Sequence, residues 1–194
     1  MYYILTYQKP DFKIEKQFIE NPNLEKIDLQ IKEGEKYVYL INSLEKFNAT
    51  YEILKQEECL FIKESYLDKE NIICLDEKGL YPNKLGSNFI YEYPIYIIKP
   101  WMLAVKDNWT WGILYILNIK DGTQINEFKE QSFINFKTVD TEKVLGRDTY
   151  KVEVSTNNTK EFYWIDKEKR ILIKKEGFEN IILVEAPFLN SNNN

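Results

Sequence analysis

Apolar and polar positions along this chain alternate with a period of two, in short runs separated by turn residues. Phe12, Ile14 and Phe18 alternate with Lys13, Glu15 and Gln17, until Asn21-Pro22-Asn23 breaks the run. Ile27, Leu29 and Ile31 alternate with Asp28, Gln30 and Lys32, and Glu33-Gly34 turns the chain. Tyr37, Tyr39 and Ile41 then share one face, with Val38 and Leu40 on the other. A strand apolar on both faces is covered twice or lies in a strongly curved sheet. Asn42 to Phe47 reads as a short helical turn. Tyr51-Ile53, Leu60-Ile62 and Ile72-Leu75 read as further short strands, with a bend near Asp68-Asn71. Lys78-Gly79, Pro82 and Gly86 mark a loop.

The stretch from Tyr91 to Met102 carries Pro94 and Pro100, which exclude a long central strand. It reads as an extended edge or crossover laying aromatic side chains across the sheet. A strand from Trp109 to Ile119 leads to Asp121-Gly122, the strongest short hairpin signal in the chain. Phe133 to Val139 is the next strand, and Gly146-Arg147 the next bend. Tyr150, Val152 and Val154 alternate cleanly with Lys151, Glu153 and Ser155, and Asn157-Asn158 turns again. Glu161 to Ile173 reads as two aromatic and β-branched arms around a charged bend. Gly177 separates it from a last strand, Ile181 to Val184. No segment sustains a helical period. The expected fold is therefore all-β: antiparallel hairpins forming a strongly curved sheet or partly open barrel, with little helix. Residues 1–189 read as a single β domain and 190–194 as a polar disordered tail.

Composition narrows the chemistry more than it names it. The 194 residues are 44% hydrophobic and 15% aromatic, enough for a sizeable core. Net charge is −5, from 26 basic and 31 acidic residues, without the basic stripe that nucleic acid requires. There is no histidine. That removes Ser-His-Asp and Cys-His catalysis and every imidazole metal site. Cys59 and Cys74 are too few for a Cys-rich zinc site. A bridge between them is open to the chain, but they are not directly opposite across the bend, and the reading favours two half-buried thiols. Glu57-Glu58 with Asp76-Glu77 lack the spacing of a Ca²⁺ loop and read as solvated charge. No nucleotide-binding glycine motif or nucleophile elbow occurs, so no cofactor, metal or catalytic residue is expected. No apolar run is long enough to span a membrane as a helix. Met1 to Tyr7 reads as a first strand and not as a signal peptide, which makes the cytoplasm the default compartment. The cell envelope is the alternative if a leader has been removed.

Several turn and core signals occur in a fixed order. Gly79-Leu80-Tyr81-Pro82 comes first, then Pro100-Trp101-Met102 before Asp107-Asn108-Trp109. Gly146-Arg147-Asp148-Thr149-Tyr150 follows, and then Tyr163-Trp164-Ile165-Asp166. Over residues 79–186, and best over 139–186, this order resembles the domain-of-unknown-function family 3108, exported bacterial β-proteins similar in fold to lipoprotein-carrier half-barrels. Lys106 stands where that family's corner glycine is usual. The resemblance implies a concave apolar face able to hold lipid.

Four tryptophans, Trp101, Trp109, Trp111 and Trp164, are the candidate ligand-binding residues, since ligand pockets are largely apolar with few polar groups. Their plain alternative is core packing. Asp166, Glu168 and Arg170 offer an ion-pair cluster but read as solvated charges of a hairpin bend. The expected function is non-catalytic binding of a lipid or other hydrophobic small molecule on a concave sheet face. The alternative is a protein-interaction module using an edge strand or aromatic patch. A carboxylate-pair hydrolase stands third.

Overall fold

The two-residue alternation is realised as antiparallel strands throughout. The structure, a computed structural model, describes residues 11–18, 29–56, 59–76, 96–105, 108–121 and 124–189. Within these lie β1 (Asp11–Phe18), β2 (Lys36–Asn42), β3 (Lys46–Gln56), β4 (Cys59–Tyr66), β5 (Lys69–Asp76), β6 (Trp109–Asp121), β7 (Gln124–Val144), β8 (Arg147–Ser155), β9 (Lys160–Asp166), β10 (Leu172–Glu176) and β11 (Asn180–Glu185). They form one sheet in the order β1-β6-β7-β8-β9-β10-β11-β2-β3-β4-β5. β1 and β5 are its two edges, so the sheet is open and not a closed barrel. The one helical element among the described residues is a 3-10 turn, Pro100–Ala104.

One face of the sheet carries the core. Tyr37, Tyr39 and Ile41 of β2 point into it fully buried, as the two-sided pattern of that strand anticipated. Ladder partners share a face. Tyr51 therefore joins Tyr37, Leu183 joins Tyr39, and Ile181 joins Ile41 on this inner side. Ile62 of β4, Ile165 of β9 and Phe136 of β7 extend the same cluster. Tyr39 and Tyr51 meet edge to face at 5.7 Å. The buried Tyr39 hydroxyl donates to the Leu172 carbonyl at 2.8 Å, so its polar end is satisfied.

Short turns set the registers. Leu145 and Gly146 both have positive φ, 52° and 76°, between the paired Val144 and Arg147. Two such residues in a two-residue loop make the type I′ turn that suits the strand twist. Gly177 has φ of 155°, and a Cβ there would lie 2.7 Å from Cγ of Glu161. That position is therefore closed to side chains on two counts.

The structure corrects four expectations. Asn42 to Phe47 holds no helical turn: β2 runs into β3 through a bend in which Ser43 N–H donates to the Glu45 carbonyl at 3.2 Å. Leu29 and Ile31 are buried but lie in no strand, because Ile31 N–H bonds back to the Leu29 carbonyl at 2.7 Å. β7 is 21 residues long and not a short strand from Phe133. Its charged first half lacks apolar alternation and is specified by pairing with β6 from Asp121↔Gln124 onward. Cys59 and Cys74 are bonded to each other, not free. Cys59 opposes Asp76 and Cys74 opposes Phe61, so the sulfurs are diagonal neighbours on one face. Their Cα atoms lie 5.6 Å apart, within reach of a bridge. The strand expected at Met1 to Tyr7, the loop after Lys78, the Glu57-Glu58 and Glu77 carboxylates and the 190–194 tail lie outside the described residues.

Unreduced protein unfolded in guanidinium is expected to show no thiol reactive toward a chromogenic disulfide reagent. Cys74→Ser should lower unfolding free energy by about 3 kcal/mol, the chain-entropy figure for a loop of this length, read from the urea midpoint.

Candidate functional site

The inner face is covered by the segment Tyr96–Val105, which pairs with no strand. Pro100 lacks a backbone donor, so it suits the first turn of a 3-10 element and no ladder. The segment is held at few points. Tyr96 N–H donates to the Tyr51 hydroxyl at 3.1 Å, and the Ile97 carbonyl accepts from Leu172 N–H at 2.9 Å. Met102 N–H closes the turn onto the Lys99 carbonyl at 2.9 Å. Packing does the rest: Ile97, Ile98, Trp101, Met102, Leu103 and Val105 are all buried. Trp101 lies against Phe136 at 5.2 Å and meets Tyr163 edge to face at 5.1 Å.

Two polar nodes flank the start of this segment. On β3 and β4, Tyr51 donates to Glu64 Oε1 at 2.9 Å, and both residues are fully buried. Burial pushes the Glu64 carboxyl above the usual range, and Tyr51 and Asn71 pull it back. On β9 and β10, Lys175 Nζ lies 3.0 Å from Glu161 Oε1 and 3.6 Å from Glu179 Oε2. Tyr163 donates to Glu161 Oε2 at 2.9 Å. Lys99 faces this second node. Burial, reinforced by the Lys175 charge, lowers its ammonium to about 8, against the opposing pull of Glu179 and Glu161. Tyr96 stands between the nodes, its phenol pushed up to about 12 by burial and then by Glu179 and Glu64.

The opposite face is built differently. Trp164 follows Tyr163 in β9 and points to the other side. Its Nε1–H donates to Glu142 Oε1 at 2.7 Å. Lys151 Nζ and Lys174 Nζ lie 4.8 and 4.6 Å from its ring, so lysine stems bury the indole to 4% exposure. At the end of β9, Asp166 accepts from Arg147 Nε at 2.6 Å and from Arg147 Nη2 at 3.3 Å. The backbone N–H groups of Glu168 and Lys169 also donate to its Oδ1. Asp166 thus organises the β9–β10 bend. The bend charges are not all solvated: Asp166 is fully buried, and Arg170 is 2% exposed beneath the Tyr150 ring. The bidentate arginine and the turn amides make burial of the carboxylate tolerable. Glu168 remains exposed, paired with Arg147 at 2.7 Å.

The four candidate tryptophans are not brought to one place. Trp101 sits on the inner face and Trp164 on the outer. Trp109 and Trp111 lie in β6, in register with Phe136 and Ile134, and their side chains lie outside the described part. The inner polar groups are Glu64, Lys99 and Lys175, none of them a candidate from the sequence. Two of them nonetheless carry a signal in the alternation. Glu64 continues the inward series Leu60-Ile62, and Lys175 continues Ile173, so each is a charge where alternation calls for an apolar side chain. Among the described residues no cluster of metal-ligating side chains occurs. No family model, curated protein or solved structure matches the chain.

Trp101→Ala is expected to cost about 3–5 kcal/mol of stability, as for a large buried aromatic, and Arg147→Ala about 3 kcal/mol by stranding the Asp166 carboxylate. Urea denaturation at neutral pH checks both. Lys99 titrates lower folded than unfolded, so the unfolded chain binds more protons between pH 8 and the ordinary lysine range. Stability from this group rises with pH across that window. Lys99→Met should be more stable than the parent at pH 7, and the advantage should shrink by pH 10.

Proposed function

We propose that the protein binds a hydrophobic small molecule, foremost a lipid, on the inner face of its sheet, without catalysing a reaction on it. One observation carries this reading. The segment covering the apolar face is not part of the sheet and makes few backbone hydrogen bonds to it. An alkyl chain taking the place of Trp101, Met102 and Leu103 leaves every strand pairing intact. The face below is aliphatic and aromatic, with few polar groups, as small-molecule sites are. An open sheet also suits the half-barrel that the resemblance to family 3108 implies. The Cys59–Cys74 disulfide favours the cell envelope over the cytoplasm, because reducing compartments keep thiols free.

A second reading rests on β5. Among the described residues it is an edge strand, and Ile72 on it is 68% exposed. Unpaired edges template strand addition by a partner chain.

Native mass spectrometry of protein purified from a bacterial host, followed by organic extraction, separates the two. A co-purifying lipid near one per chain, or uptake of one from a mixed lipid panel, is expected. A bare mass with no uptake sinks the lipid reading and directs attention to β5.

A further inference from the structure

Glu64 on the inner face carries a buried polar atom that the described residues leave unsatisfied, as does Thr138. Glu64 Oε1 accepts from Tyr51, and the Asn71 amide across the ladder also favours the carboxylate, but Glu64 Oε2 is buried and makes no hydrogen bond of acceptable geometry among the described residues. A native fold seldom tolerates such an atom without a use for it. Its surroundings are well ordered by packing. Tyr51 is pinned from the other side by Tyr96 N–H and meets Tyr39 edge to face. Glu64 is therefore fixed in direction, next to the first residue of the covering segment, with Ile62 and Ile53 paired beside it. The rest of the covering segment, from Ile97 onward, is apolar apart from Lys99 and lies on apolar side chains.

Polar groups thus gather at one end of the covered face and apolar groups at the other. The polar end contains Glu64, Glu161 and Glu179 against Lys99 and Lys175, and both glutamates of the second node are already engaged by Lys175. Tyr51, Tyr66, Tyr96, Tyr163 and the Asn71 amide supply further polar atoms. An added anion meets three carboxyl groups against two ammonium groups here, one of which, Lys175, is already engaged by two of the carboxylates. A donor meets a fixed acceptor with a free lone pair.

We propose that Glu64 Oε2 is the head-group acceptor of the site, selecting amphiphiles that carry a hydroxyl or primary ammonium donor over those ending in a carboxylate. This rests on the lipid-binding reading and specifies it. The donor displaces Tyr96 from the Tyr51–Glu64 pair, and the alkyl chain follows the path of Ile97 to Leu103. No bond is made or broken.

The test uses three ligands with the same twelve-carbon chain: dodecylamine, monolaurin and laurate. Each displaces N-phenyl-1-naphthylamine from the full chain at pH 7, below micelle-forming concentrations. Dodecylamine and monolaurin are expected to bind at least about tenfold more tightly than laurate, the worth of one hydrogen bond to a charged acceptor. Glu64→Gln should remove at least about tenfold of dodecylamine affinity and narrow the gap between dodecylamine and laurate. Equal affinity for the three ligands, or a tighter hold on laurate, overturns the assignment of Glu64 and leaves lipid binding standing. An unchanged ranking in Glu64→Gln does the same. Failure of dye and all three ligands to bind overturns both readings. The ranking on the unaltered chain decides the matter alone if the variant does not fold.

Discussion

An open sheet with one strongly apolar face has to cover that face with something, and here the chain covers it with its own middle. Tyr96–Val105 lies over strands from both halves of the sheet order, touching Tyr51 of β3, Leu172 of β10 and Phe136 of β7. Without it, Tyr39, Ile165 and the residues around them would face water, at about 25 cal/mol for each Å² of apolar surface. The described part of the covering segment is rich in large side chains. It contains Pro100, which stops it from joining a ladder. Its grip is therefore mostly packing and only slightly hydrogen bonding, and the proposed exchange with an alkyl chain follows from that balance.

The two faces of β9 divide the work. Inward, Glu161 and Tyr163 meet Lys175 and the covering segment; outward, Phe162 and Trp164 lie under lysine ammonium groups paired with glutamates. The outward aromatics are sealed by charged side chains whose stems are apolar, so that face presents ion pairs to solvent and not rings. At the strand's end, Asp166 ties Arg147 of β8 to the bend. The bend in turn reaches back through Lys169 to Glu35 and the Gln30 carbonyl ahead of β2. Glu35 also accepts from Tyr37 at 2.5 Å. The Tyr37 hydroxyl, then the Lys32 amide and the Lys169 ammonium, hold its carboxyl below the usual range despite burial.

The strand pattern was legible wherever one face is buried and the other wet. Tyr150 to Ser155 and the β9–β10 arms read correctly because alternation there reports burial directly. It failed where burial has another source. Leu29 and Ile31 alternate as in a strand but are buried by a turn of loop. The first half of β7 is held by its partner's register, which no local window contains. The disulfide was missed because opposition was judged residue against residue, whereas a bridge can join diagonal neighbours. The tryptophans drew attention as large and rare. The inner-face chemistry sits instead in Glu64, Lys99 and Lys175, whose oddity is their placement and not their type. Placement becomes visible only when each strand's inward register is known.

The strand order has a consequence for how the chain must be made. β2 pairs with β11, and among the described residues no other strand joins β2–β5 to β6–β10. During synthesis the four strands β2 to β5 emerge early, but their seam with the rest is β11, the last of the described strands. Until Asn180–Glu185 leaves the ribosome, the chain holds two separate sheets, each with an unprotected border beside β2 or β10. Such distant pairing folds slowly and exposes borders meanwhile. The early hairpins therefore pass through a waiting period in which a chaperone, or a disulfide already closed across β4 and β5, keeps them from pairing with the wrong neighbour.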